Sequence, residues 1–144
     1  MNTDVLAAFD QGFDQDPRAY WVGTVAQADK DGKPLLPWLE HPTNNPRFLH
    51  FLSSMSNETW HRTCGFDARY NQGISYEDNA FSSRIRQLGI EMRHLPIPES
   101  GCHGIHQWHS RGYQETPQAQ ELIERNRQLY ISQEQKSGGF LPSS

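Results

Sequence analysis

Two adjacent carboxylates, Glu77 and Asp78, stand where a glycine-bearing loop runs into an amphipathic stretch. A carboxylate in the first turn of a helix is kept ionised by free backbone N–H groups and the helix dipole. An ionised carboxylate at a loop–helix junction can act as a general base if a substrate hydroxyl reaches it. The same position also suits a residue that only complements the helix end. A second group of reactive side chains follows in the run CHGIHQWH, where His103, His106 and His109 recur every third residue beside Cys102 and Trp108. Imidazoles suit transition ions. Residues three apart on an extended chain point to opposite faces, so one or two of the three can converge. On spacing alone, metal ligands and ordinary solvated loop histidines are both open.

The elements that must position these groups can be read from local signals. Ser75 and Asp78 match an S-x-x-D capping box, which predicts a helix starting near Tyr76–Glu77. Phe81, Ile85 and Leu88 give that helix one apolar face, and Gly89 ends it. Upstream, the near-continuous apolar run Phe48–Met55 predicts a strand buried on both faces. Ser56 caps a short helix over 57–64, stopped by Gly65. Downstream, 91–97 reads as a strand bounded by Pro96 and Pro98, and Thr116-Pro117 starts a long helix reaching about Glu134. Near the N-terminus the pattern predicts a brief helix and then a strand over 21–25. An Asp-Gly hairpin turn at 29–33 follows, with a return strand broken by Pro37.

The pattern GFD-x-x-Y-x-x-G-x-x-Y-E-D-x-x-F-x-x-R-I-x-x-x-G runs through Gly65, Phe66, Asp67, Tyr70, Gly73, Glu77, Asp78, Phe81, Arg84, Ile85 and Gly89. It resembles the acceptor-side segment of family-two and related A-type glycosyltransferases, over about residues 46–110. Ala68 stands where that family usually carries an acidic residue. The resemblance implies an α/β fold of partial glycosyltransferase-A type, a small mixed sheet flanked by helices. It divides the chain into a hairpin and loop region over 1–45, a glycosyltransferase-like domain over 46–135 and a disordered tail over 136–144.

By the same resemblance, Asp78 is the base that takes a proton from an acceptor hydroxyl, and Glu77 hydrogen-bonds the acceptor sugar. The implied activity is metal-assisted, inverting transfer from a nucleotide-sugar to a hydroxyl acceptor such as a glycan. Several such enzymes place a histidine after the E-D helix and one further strand, where it completes a site for a divalent metal, Mn²⁺ or Mg²⁺, on the donor diphosphate. His106, 29 positions after Glu77, is the first choice for that ligand and His103 the second. Trp108 can line the same cleft, since an indole stacks on the apolar face of a sugar.

The family's donor half, with its D-x-D motif after a buried strand, has no clear counterpart. Asp14-Gln15-Asp16 precedes a proline in a polar loop, and Asp29-Lys30-Asp31 belongs to the hairpin turn. The expected partners are therefore a nucleotide-sugar, a hydroxyl acceptor, and a donor-binding half or a second copy of the chain. The alternative is a carbohydrate- or metal-binding module, or an inactive remnant, without turnover.

Composition sets the outer limits. The apolar fraction is 35%, below the roughly 45–50% usual for globular chains, so a small core is expected. A net charge of −4 argues against a general nucleic-acid binder. No apolar run nears the roughly 20 residues of a membrane span, and two cysteines make no disulfide framework. A cytoplasmic location is the expectation that follows.

Overall fold

A computed structural model describes residues 5–110 and 112–137. Helix α1 (Val5–Gln15) leads into strands β1 (Tyr20–Val22), β2 (Val25–Ala28) and β3 (Pro34–Glu40). Strand β4 (Ser53–Ser54), helix α2 (Asn57–Thr63), a 3₁₀ turn over Ala68–Gln72 and helix α3 (Glu77–Gln87) come next. Strands β5 (Met92–His94) and β6 (Gly104–His106), a second 3₁₀ turn over Gly112–Glu115 and helix α4 (Pro117–Lys136) complete the order. The architecture is mixed α/β, with small mixed sheets flanked by helices. No helix among the described residues is long and apolar enough to cross a membrane.

The predicted strand at 21–25 is two strands in tandem. β1 pairs antiparallel with β4 and parallel with β5, while β2 pairs antiparallel with β3 and parallel with β6. The break falls at Gly23–Thr24. A Cβ on Gly23 would lie 2.9 Å from the Leu52 side chain and 3.2 Å from that of His103, so the ribbon passes there only because the position is glycine. The strands before residue 45 thus share their sheets with strands after it.

β1 carries the core on both faces, as period-two alternation requires. Tyr20 and Val22 pack on Phe81, Ile85 and Ile90 on the α3 side. Trp21 packs with Phe9, Ala19 and Leu95 on the α1 side. Gly12 of α1 lies against the Trp21 indole, which donates from Nε1 to the Asp16 carbonyl at 3.1 Å. Phe81 and Ile85 face the core as their spacing predicts, whereas Leu88 lies outside it.

The double burial expected of Phe48–Met55 belongs to β1 instead. Only Ser53 and Ser54 of that run form a strand. The reason is Glu40, fully buried at the end of β3, whose carboxylate accepts from the backbone N–H of Arg47 and of Leu49, each at 3.0 Å. Those donors are then lost to any ladder, and Phe48 between them takes a left-handed φ of 57°. His94 of β5 completes the carboxylate's shell, with Nε2 2.8 Å from Oε1.

The helix ends largely follow their signals. Ser56 Oγ accepts from Thr59 N, Thr116 Oγ1 accepts from Ala119 N, and Gly89 has φ +66°. The capping box before α3 does not form: Tyr76 occupies the cap position with no side-chain cap bond, and Asp78 turns elsewhere. α4 runs to Lys136; residues 138–144 of the expected tail lie outside the described residues.

Candidate functional site

Asp78, in the first turn of α3, meets His50, with Nε2 3.0 Å from Oδ1. The two side chains are 26% and 33% exposed, so the carboxylate reaches the surface without lying free on it. The hydrogen bond to Asp78 raises the His50 pKa above its ordinary value, against the opposing effect of partial burial. A raised value favours imidazolium beside carboxylate, an ion pair at the mouth of the helix.

Aromatic rings border this pair on one side. His50 lies against Phe66, with centroids 5.0 Å apart, and edge-on to Phe81. Phe66 in turn packs on Phe81 and Trp60 at 4.5 and 5.6 Å. Phe66 and Trp60 remain 48% and 37% exposed, so part of the ring wall faces solvent next to Asp78. Glu77, the neighbouring carboxylate, is exposed.

The histidines part company. His103 is bound into the β1–β2 junction: its Nδ1 accepts from Thr24 N at 3.1 Å and lies 2.9 Å from Thr24 Oγ1. A ring nitrogen that accepts from a backbone N–H carries no proton, so the neutral ring holds its proton on Nε2 and has no lone pair left there for a metal. Burial lowers its pKa and keeps it neutral. His106 is different. Its Nδ1 is buried with no hydrogen-bond partner among the described residues, and its ring lies 5.3 Å from that of His109 and edge-on to Phe51 at 6.0 Å.

Trp108 is exposed, with the Lys30 ammonium 5.5 Å from its ring, and it lines a cavity of about 590 Å³ with His109, Gln27 and Leu39. Among the described residues, no group of three or more His, Cys, Asp and Glu side chains is placed to hold a metal ion.

Asp78 and His106 have different partners, one on each of two successive residues. His50 bonds Asp78, and Phe51 packs on His106. His50 and Trp60 are the members that the chemistry-bearing motifs did not single out, and Phe66 stood in the quoted pattern without a role assigned to it. The available signal for His50 was a titratable residue interrupting the apolar run FLHFL. No family model matches this chain, and neither a curated protein nor a solved structure does.

Proposed function

We propose that the chain is the acceptor-side part of a glycosyltransferase, with Asp78 as general base and the Trp60–Phe66 wall as the seat of the acceptor sugar. The observation that carries this is the His50–Asp78 pair, partly exposed at the start of α3 and flanked by open aromatic surface. A sugar's apolar C–H face stacks on such rings while its hydroxyls turn toward the carboxylates. The acceptor O–H then gives its proton to Asp78 as its oxygen bonds the anomeric carbon, and the anomeric C–O bond to the nucleotide diphosphate breaks with its electron pair leaving on the phosphate oxygen. Glu77 is the second carboxylate in reach of that face and the candidate to hold another sugar hydroxyl.

The divalent metal implied by the resemblance, Mn²⁺ or Mg²⁺, fits incompletely. His106 offers an unpartnered nitrogen and His109 stands beside it, but no third donor joins them among the described residues. The open aromatic surface of Phe66 and Trp60 also suits a second reading, a carbohydrate-binding module without turnover. Incubation with a panel of nucleotide-sugars, Mn²⁺ and glycan acceptors separates the two. Sugar transfer by the wild type that is lost in Asp78→Asn supports the base. No transfer or hydrolysis, even with a donor-binding half supplied, overturns it; sugar binding that persists would then leave the module.

A further inference from the structure

The loop that delivers Asp78 to α3 is held in a costly shape. Ser75 and Tyr76 both have left-handed backbone, φ 63° and 68°, and neither is glycine. Such backbone is disfavoured for residues with a side chain and persists only where surrounding structure over-determines it. The one glycine in the loop is used elsewhere. Gly73 has an extended φ and lies on α4, where a Cβ would come within 2.2 Å of Asn126 Oδ1 and 2.7 Å of the Leu122 carbonyl.

One face of α4 supplies the restraint. Leu122, Asn126, Tyr130 and Gln133 recur at intervals of four, four and three, the spacing of a single helical stripe. The Leu122 carbonyl accepts from Ile74 N at 3.2 Å. Asn126 is wholly buried, and its Nδ2 donates to the Tyr70 carbonyl at 3.1 Å and to the Ser75 carbonyl at 2.8 Å. The Tyr130 ring stacks on Tyr76 with centroids 5.9 Å apart. Gln133 donates to Asp67 Oδ2 at 2.8 Å and accepts from the Tyr70 hydroxyl at 2.6 Å. Of these, only the Asn126 bond to Ser75 acts on the strained pair's own backbone, three residues before Asp78.

We infer that Asn126 of α4 is a positioning residue, which clamps the left-handed Ser75–Tyr76 turn and thereby holds the Asp78 carboxylate against His50. Its bearing on turnover rests on the reading of Asp78 as base; the placement itself does not. A buried amide whose Nδ2 donates to two backbone carbonyls cannot be replaced by an apolar side chain without releasing both. Released, the loop is free to relax toward ordinary φ values, and the first turn of α3 rotates with it.

The test follows His50 by NMR, as the titration of its ring C–H signal, in wild type, Asp78→Asn, Asn126→Ala and Asn126→Ala/Ser75→Gly. The titration midpoint of wild type should lie above that of Asp78→Asn. Asn126→Ala should move toward the Asp78→Asn midpoint, and adding Ser75→Gly, which takes the left-handed φ without penalty, should move it back. A folded Asn126→Ala protein with the wild-type midpoint overturns the inference. Should Asn126→Ala alone not fold, the double variant decides: it should fold and titrate as wild type does. If it fails to fold or titrates like Asp78→Asn, the clamp is not what Asn126 provides. Sugar transfer is read separately. If wild type transfers nothing while Asn126→Ala still moves His50, the reading of Asp78 as base fails and the positioning role stands.

Discussion

Replacing Glu40 tests how the loop beneath the candidate site is held. Its carboxylate is fully buried and takes three donors: Arg47 N and His94 Nε2 on Oε1, and Leu49 N on Oε2. Glu40→Gln keeps the shape but turns one oxygen into an NH₂ donor. If that NH₂ replaces Oε1 it faces the Arg47 N–H; if it replaces Oε2 it faces the Leu49 N–H. In the second orientation the buried Leu49 N–H loses its acceptor, at a cost of about 1–3 kcal/mol; in the first, the Arg47 N–H keeps the Asn45 carbonyl at 3.0 Å, so that orientation is the cheaper one.

Glu40→Ala leaves the buried Leu49 N–H without an acceptor and His94 without its carboxylate, which should cost about 3–5 kcal/mol. Against a total stability of about 5–15 kcal/mol, the alanine variant stands near unfolding. Equilibrium urea unfolding measures both, with Glu124→Gln as the control because Glu124 sits in an exposed pair with Arg127 and should leave the midpoint unchanged. The loop 47–49 leads directly to His50, so Glu40→Gln should also broaden or shift the His50 ring signals. A Glu40→Ala protein within about 0.5 kcal/mol of wild type would refute the reasoning, because the buried Leu49 N–H left unpaired cannot be that cheap.

Three further outcomes are expected. His50 has a folded pKa raised above its ordinary 6.5 by the bond to Asp78. Its stabilising contribution is therefore complete below pH 6.5 and disappears as pH rises through the raised value. The stability gap between wild type and Asp78→Asn should accordingly be wider at pH 6 than at pH 9 in denaturant titrations, and an equal gap at both would exclude the pair. Trp60→Ala or Phe66→Ala should weaken binding of glycan acceptors severalfold in calorimetry or NMR titration, and Trp60→Ala should leave the His50–Asp78 titration in place; unchanged sugar binding in both would remove the aromatic wall from the site. In Mn²⁺ titrations followed by paramagnetic broadening, His106→Ala should lose broadening around His109, and His103→Ala should not; the opposite ranking would mean that the Thr24 bond does not withhold His103.

What the sequence by itself determined is local. The turn at Asp29–Lys33, the serine and threonine caps of α2 and α4, the stop at Gly89 and the apolar face Phe81–Ile85 are each set by residues within a few positions, and each appears where its chemistry puts it. The carboxylates at the head of α3 were legible for the same reason. Choices involving distant partners were not. A capping box before α3 is the local optimum, yet Asn126, 51 positions after Ser75, holds the turn left-handed, and His50 takes Asp78.

The run Phe48–Met55 reads as a buried strand until a carboxylate from β3 claims the N–H of Leu49 and of Arg47 just before the run. The histidines at 103 and 106 look equivalent in a three-residue repeat. Only the pairing of β2 with β6 reveals that one is bonded to Thr24 and the other is left with an unpartnered nitrogen. A hydrogen bond or a ring contact is decided by which atoms the chain brings within about 3–6 Å, and for partners dozens of residues apart the fold alone sets that distance.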